Sequence, residues 1–122
     1  MPDRTTRSIL LAIGWTCAIL LACSIPGKDL PDIDFELFEV DKLAHFTFFL
    51  IFGWLWARAL PGTFRAGFAC IGLAGISFGI AIEIYQGLLP FDRTPDPLDA
   101  FANMLGLLVA LVAYSWRHPL KI

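Results

Sequence analysis

Residues 83–103, EIYQGLLPFDRTPDPLDAFAN, decide how the rest of the chain is interpreted. They join two long apolar segments, with Glu83 inside the end of the first and Asp99 and Asn103 at the start of the second. Arg93 is the basic residue of the proline-containing loop between them. Charged groups at membrane depth are costly, so they mark a functional site or a structural ion pair. The stretch therefore predicts two membrane helices whose polar residues lie at the same membrane face.

The composition identifies lipid as the solvent. The 122 residues are 57% apolar and 16% charged, and the mean hydropathy is +0.70. A soluble domain of this length cannot bury so much apolar surface, and the length predicts a single domain over residues 1–122. The three cysteines all fall inside apolar segments, so they do not form a disulfide framework. Nucleic-acid binding is not expected, because there is no basic patch.

Four apolar runs predict an all-α membrane protein, a bundle of four transmembrane helices. The runs cover about residues 9–25, 43–60, 66–89 and 97–116. Basic residues outside the lipid core are unevenly distributed, with six at one end of the predicted bundle and three at the other. Because cytoplasmic loops carry the excess of lysine and arginine, both termini are predicted to be cytoplasmic. The six are Arg4, Arg7, Arg58, Arg65, Arg117 and Lys121, and the three are Lys28, Lys42 and Arg93.

Small residues form stripes that lead to the polar groups. On the third helix Gly72, Gly75 and Gly79 share a face, and Glu83 and Gln86 continue it at the next steps of four and three. Small residues allow helices to approach closely in lipid, so this face is predicted to point into the bundle. A similar stripe on the fourth helix leads back to the asparagine and consists of Gly106, Ala110 and Ala113. On the first helix the predicted packing face consists of Gly14, Ala18 and Ala22.

The ends of the second and fourth helices carry acidic residues with a structural explanation. Asp41 is predicted as the N-cap of the second helix, and Asp96, Pro97 and Asp99 as N-cap, N1 and N3 of the fourth. Alternating acidic and apolar residues before Asp41 favour a short extended segment in the headgroup zone. An amphipathic helical turn or an ordinary anionic loop remains an alternative.

The second helix adds a polar group of its own. Lys42 and His45 are three residues apart, and Asp41 and His45 are four apart, so either pair shares one helix face. In the predicted topology these residues lie at the same outer level as Glu83 and Asn103. Three helices and one loop therefore deliver polar side chains to one membrane face.

Together these motifs resemble the VanZ-like family of small bacterial membrane proteins. The resemblance covers roughly residues 41–106, through DKLAHF, EIYQ, the loop arginine, and DAFAN followed by a glycine. It implies a multi-pass protein of the bacterial inner (cytoplasmic) membrane, with its polar site facing the outside or periplasm, and a connection with teicoplanin resistance. The positions that match the family's polar motifs are Asp41, Lys42, His45, Glu83, Gln86, Arg93, Asp99 and Asn103.

Three functions fit this constellation. It would bind a lipid-linked anionic headgroup at the outer leaflet, with Lys42, Arg93 and a protonated His45 contacting phosphate. Alternatively, it would be an enzyme in which Glu83 acts as general acid or base with His45 as its partner. In the third reading the cluster only ties helices together through buried ion pairs.

No cofactor is predicted. A metal site formed by His45, Glu83 and Asp99 is conceivable, but no HExxH or Cys/His spacing supports it, so none is expected. A haem shared by the two histidines is excluded by the predicted topology, which places His45 at the outer face and His118 at the inner face.

Overall fold

The computed structural model describes residues 3–24, 36–60, 65–88 and 97–118, with side-chain positions from residue 42 in the second range and residue 67 in the third. All regular structure in these ranges is helical, which confirms the all-α prediction. The helices are α1 (Arg4–Cys23), α2 (Glu36–Ala59), α3 (Arg65–Leu88) and α4 (Pro97–Arg117). By length and apolar composition, α1, α3 and α4 are able to cross a membrane; α2, as far as it is described, does not meet the same measure.

Two helices begin earlier than the sequence predicts. α1 begins at Arg4 rather than near residue 9, after the Asp3 carboxylate accepts a 2.7 Å hydrogen bond from the Thr6 amide and caps the helix. This hydrogen bond lowers the pKa of Asp3, which lies outside the membrane-spanning segment. α2 begins at Glu36 rather than at residue 43. Acidic residues are favourable in the first turns of a helix, where they face the positive end of its dipole.

The early start of α2 corrects two predictions. Asp41 lies inside the helix, so its prediction as the N-cap is wrong. Glu36 and Leu37 are helical, so the extended segment does not reach them. The preceding residues, 25–35, lie outside the part of the chain that the structure describes.

The centre of the bundle is the pair formed by α2 and α4, which share the largest helix contact. Two glycines make this close approach possible. A Cβ at Gly53 would lie 2.8 Å from the Ala110 Cβ, and a Cβ at Gly106 would collide with the carbonyl oxygen of Phe46. The small-residue stripe predicted on the fourth helix therefore packs against α2, with Gly106 and Ala110 buried.

α3 packs chiefly on α4, and its predicted glycine face is confirmed. A Cβ at Gly75 would press on the Leu107 side chain, and one at Gly79 would lie 3.3 Å from the Asn103 Cβ. Phe78 of α3 stacks on Phe52 of α2 at a ring-centroid distance of 5.5 Å. These contacts place the end of α3 that carries Glu83 against the start of α4.

α1 packs on α2, but with a different face from the predicted one. Gly14 has no neighbouring heavy atom within 4 Å of an added Cβ, and Ala18 is exposed, so the predicted packing stripe of α1 is wrong. The buried face contains Ala12, Ile19 and Cys23 instead. Tryptophans determine this face: Trp15 Nε1 donates to the Phe48 carbonyl at 2.9 Å, and Trp56 Nε1 donates to Thr16 Oγ1 at 3.0 Å. Ring packing together with these hydrogen bonds therefore accompanies the face of α1 that packs on α2.

Candidate functional site

The polar residues meet at one end of the bundle. Lys42 and His45 lie near the start of α2, Glu83 near the end of α3, and Asp99 and Asn103 at the start of α4. In a helix, residues three or four positions apart share a face. The two polar residues of α2 therefore lie on one side of that helix, and so do the two of α4, whereas α3 contributes one. Apart from Lys42, whose side chain is 21% exposed, these residues are all at least nine-tenths buried.

A hydrogen bond between His45 and Asn103 forms the centre of the site. The atoms His45 Nδ1 and Asn103 Oδ1 are 2.9 Å apart, and both residues are almost fully buried. An amide oxygen only accepts hydrogen bonds, so Nδ1 carries the proton and donates it. In a neutral imidazole this tautomer makes Nε2 the basic nitrogen. The fourth helix therefore sets both the orientation and the proton position of the histidine.

Asp99 connects α4 to two residues of α2. Its Oδ1 atom accepts a hydrogen bond from Lys42 Nζ at 3.2 Å, and its Oδ2 atom lies 3.7 Å from His45 Nε2. The shorter contact is an ion pair with hydrogen-bond geometry, whereas 3.7 Å is too long for a hydrogen bond. The sequence predicted Asp99 as a first-turn residue of the fourth helix, and it is one, but its side chain is also part of the site.

Glu83 completes the cluster from α3. Its residue is 7% exposed, and a carboxylate oxygen lies within 4.8 Å of ligand atoms of both His45 and Asp99. Two carboxylates and one imidazole from three helices therefore converge on a small volume. Such a set is able to exchange protons, to receive hydrogen-bond donors of a ligand, or to coordinate a cation.

Gln86 has a contact that the sequence did not reveal. Its Nε2 atom donates a 3.2 Å hydrogen bond to the backbone carbonyl of Cys23, and both residues are buried. The last carbonyls of a helix lack intrahelical partners, so the end of α1 offers an acceptor there. The nearby hydroxyl groups of Ser24 and Tyr85 are also hydrogen-bonded, at 2.9 Å. α1 thus reaches the site through its C-terminus, which only the end position of Cys23 in its apolar run could have suggested.

The amide nitrogen of Asn103 is a second feature that spacing did not predict. It is buried, and among the described residues it has no hydrogen-bond acceptor. It lies beside Gly79, and a groove of about 160 Å³ between α3 and α4 is lined by both residues together with Phe101 and Met104. The site therefore offers a hydrogen-bond donor at its α3 side.

Some predicted site residues lie beyond the reach of the structure. Arg93 and Asp96 belong to residues 89–96, outside the described ranges, and Asp41 is described only as part of α2. His118 is exposed near the opposite end of α4, where its ring stacks on Tyr114 at 4.3 Å. The site predicted around His45 is therefore separate from the second histidine of the chain.

A sequence model of one protein family covers almost the whole of this helical arrangement. It is the model described as VanZ/LLP1, and it matches residues 3–118 of the 122. The chain belongs to the VanZ/LLP1 family. The resemblance based on residues 41–106 is thus confirmed, and the VanZ/LLP1 match also includes α1. No curated protein and no solved structure matches the chain.

Proposed function

We propose that this VanZ/LLP1 protein binds the anionic headgroup of a lipid-linked envelope or cell-wall precursor at the outer leaflet of the bacterial inner membrane. In this way it would affect susceptibility to teicoplanin-type glycopeptides. The supporting observation is the buried cluster of His45, Glu83, Asp99 and Asn103, with Lys42 at its edge. Buried ionisable groups in a membrane bundle are costly and are usually functional.

The proposed orientation has four membrane crossings, with α2 as the additional one, and both termini in the cytoplasm. Hydrogen bonds join the end of α1 to the end of α3, and the start of α2 to the start of α4, so these four ends lie together. The described basic residues at the other ends of the helices outnumber Lys42, which favours a cytoplasmic location for those ends. They are Arg4, Arg7, Arg58, Arg65 and Arg117.

Lys42 is the proposed contact for phosphate. Its ammonium group forms an ion pair with Asp99 and remains partly exposed, so it is held in place and accessible. Charge-assisted hydrogen bonds to phosphate are among the stronger polar contacts in proteins. The proposal also assigns Arg93 to the headgroup, Asp41 to the same rim, and Glu83, Gln86 and Asn103 to sugar or peptide groups.

A groove along the bundle would accommodate the hydrocarbon chain of the ligand. It encloses about 370 Å³ and is lined almost entirely by apolar atoms, including Phe52, Trp56, Ile71 and Phe78. Phe78 precedes Glu83 by five residues, roughly 7.5 Å along the axis of α3. The groove therefore begins within reach of a lipid whose headgroup occupies the polar cluster.

A comparison of two lipids tests the binding proposal. Purified protein is titrated with a short polyprenyl phosphate and with the corresponding uncharged polyprenol. We expect the wild type to bind the phosphate at least about tenfold more tightly, because one charge-assisted hydrogen bond contributes about 1.5–3 kcal/mol. Lys42→Gln should lose this preference and Arg58→Gln, at the far end of the same helix, should keep it. Equal affinity of the wild type for both lipids would refute the proposal.

The link to glycopeptides is tested in cells. A bacterial strain that expresses the wild type is compared with one that expresses Glu83→Gln, after both proteins are shown to accumulate and melt alike. We expect the wild type alone to change the inhibitory concentration of teicoplanin. If both strains respond identically, the susceptibility part of the proposal fails, while the lipid titration stands separately.

Catalysis is the second candidate, and the tautomer of His45 favours it. Asn103 leaves Nε2 as the basic nitrogen, 3.7 Å from Oδ2 of Asp99, in an imidazole within 4.8 Å of a Glu83 oxygen, an arrangement suited to general acid–base chemistry. Incubation with polyprenyl-phosphate-linked substrates distinguishes the two candidates: product formation that depends on Glu83 indicates an enzyme, and saturable binding without product indicates a binding protein. If Glu83→Gln and His45→Gln both fail to fold, the purely structural alternative explains the cluster.

A further inference from the structure

We propose that His45, Glu83 and Asp99 form a site for a divalent first-row transition-metal ion. One atom of each residue lies within 4.8 Å of an atom of each of the others, so a point central to the three is no more than about 2.8 Å from each. Metal–ligand bonds to nitrogen and oxygen are about 2.0–2.2 Å long. Side-chain adjustments of at most about 0.8 Å per ligand therefore close the site without moving the helices.

The geometry of one pair already approximates a coordination edge. His45 Nε2 and Asp99 Oδ2 are 3.7 Å apart, too far for a hydrogen bond. Two ligands of a tetrahedral ion with bonds near 2.1 Å are about 3.4 Å apart. A basic nitrogen and a carboxylate oxygen that face each other at this distance are positioned to share a cation.

The surrounding hydrogen bonds prepare these two atoms for a metal. Asn103 Oδ1 accepts the Nδ1 proton of His45, which directs the lone pair of the imidazole to Nε2. Lys42 Nζ donates to Oδ1 of Asp99, and Oδ2 lies on the side of the histidine. Metal-binding histidines almost always donate their other ring proton to an oxygen acceptor, and ligating carboxylates are hydrogen-bonded in the same way.

A separate observation points to a further ligand at the site. The Asn103 side-chain nitrogen is buried without an acceptor among the described residues, in a residue that is 1% exposed. It lies beside Gly79, one turn along α3 from Glu83, at the groove between α3 and α4. A water molecule in the open coordination position would accept a hydrogen bond from this amide nitrogen. Three protein ligands and one open position are the pattern of catalytic rather than structural zinc sites.

The donor set indicates the class of metal. One imidazole nitrogen with two carboxylate oxygens suits ions such as Zn²⁺ and Mn²⁺, whereas Mg²⁺ and Ca²⁺ prefer oxygen ligands throughout. The spacing of the ligands in sequence, with one residue on each of three helices, explains why no metal-binding motif is visible in the chain. This inference is independent of the proposed lipid ligand, because it is tested with the metal alone.

The test uses tag-free protein, since a polyhistidine tag would bind the same ions. After treatment with a chelator, the detergent-solubilised protein is titrated with ZnCl₂, MnCl₂ and MgCl₂ separately, and Mn²⁺ binding is followed by electron paramagnetic resonance. Mn²⁺ is included because it has little affinity for thiols, and Cys17 and Cys70 are exposed. We expect one saturable site for Zn²⁺ and for Mn²⁺, and at least tenfold weaker binding of Mg²⁺. The absence of a saturable site for both transition ions would overturn the proposal.

Near-isosteric variants identify the ligands. Glu83→Gln and Asp99→Asn should each weaken Mn²⁺ binding at least tenfold, and His118→Ala, which removes the exposed histidine at the other end, should leave it unchanged. Loss of binding in His118→Ala, or wild-type affinity in both carboxylate variants, would assign the ion to another place. The melting temperature of each variant is measured in chelator, so a folding defect is seen separately from a binding defect.

Variants of Asn103 test the metal site without changing any of the three proposed ligands. This test is therefore independent of whether the ligand variants fold. Asn103→Asp keeps an acceptor for the Nδ1 proton of His45 and should retain Mn²⁺ binding. Asn103→Leu removes that acceptor at similar volume and should weaken binding about 10–100-fold, the range typical of residues that orient a metal ligand. Equal affinities of these two variants would contradict the assigned role of the histidine tautomer.

Discussion

Replacing Gly106 by alanine tests a close contact between α2 and α4. Gly106 of α4 lies against the backbone of α2, where an added Cβ would collide with the Phe46 carbonyl oxygen and lie 3.0 Å from Leu50 N. Backbone atoms cannot rotate away as a side chain does. The two helices must therefore separate if the methyl group is to fit.

The cost follows from the size of this overlap. Carbon atoms pack best at about 3.5–4.0 Å, so the 3.0 Å contact with the Phe46 carbonyl carbon alone requires a separation of at least about 0.5 Å, and the collision with the carbonyl oxygen requires more. Overpacking of this kind costs about 1–3 kcal/mol, and the rigid neighbours place Gly106→Ala at the upper end. Alanine has a helix propensity about 1 kcal/mol better than that of glycine, which offsets part of the loss. We expect a net destabilisation of about 2 kcal/mol and a melting temperature lowered by roughly 5–10 °C.

The measurement is thermal unfolding in detergent, followed by the fluorescence of the four tryptophans. Gly14→Ala is the matched control, because an added Cβ there has no heavy atom within 4 Å, and it should leave the melting temperature unchanged or slightly raised. Gly106→Ala should also weaken ligand or metal binding, since Phe46 adjoins His45 and helix separation lengthens its 2.9 Å contact with Asn103. Equal melting temperatures for the two alanine variants would refute this reasoning.

Three further predictions concern polar contacts between helices. Lys42→Met should lower the free energy of unfolding by about 1–3 kcal/mol, because it removes the cation beside the buried Asp99. Adding Asp99→Leu should recover at least half of that loss. If none is recovered, the two side chains are not coupled. Gln86→Leu removes the hydrogen bond to the end of α1 and should increase the rate of maleimide labelling of the buried Cys23 severalfold. An unchanged labelling rate would contradict this contact. Trp56→Phe loses the hydrogen bond to α1 and should lower the free energy of unfolding by about 1 kcal/mol, and an unchanged stability would contradict this contact.

The sequence contained the position of the site because helix spacing and membrane burial act on the same residues. Asp99 and Asn103 share a face at four residues' separation, and both are buried against α2. Likewise, the glycine face of α3 leads to a buried Glu83. An ionisable residue at the end of a small-residue stripe points into the bundle, because the opposite orientation would expose its charge to lipid.

The predictions that failed depended on information outside a single helix. A row of small residues on α1 allows another helix to pack closely there. Whether this face packs depends on contacts that other faces of α1 form, such as the tryptophan hydrogen bonds to Phe48 and Thr16. Similarly, α2 begins within the segment of alternating acidic and apolar residues. A short alternation of this kind next to a helix does not distinguish a strand from a helix. The link between Gln86 and the end of α1 is a tertiary hydrogen bond to a backbone atom, which leaves no pattern in the side chains.

The energetics of the bundle favour a binding or catalytic site over a structural tie. Close packing at Gly53 and Gly106 already holds α2 and α4 together, and this packing does not depend on charged side chains. Packing of small residues is the main source of helix association in lipid, and an interhelical hydrogen bond adds only about 0.6 kcal/mol on average. Burying Glu83 and Asp99 within 4.8 Å of one imidazole costs more than such hydrogen bonds return. Apolar side chains would hold these helices equally well, so this cost favours the proposed binding or catalytic role of the polar cluster over a purely structural one.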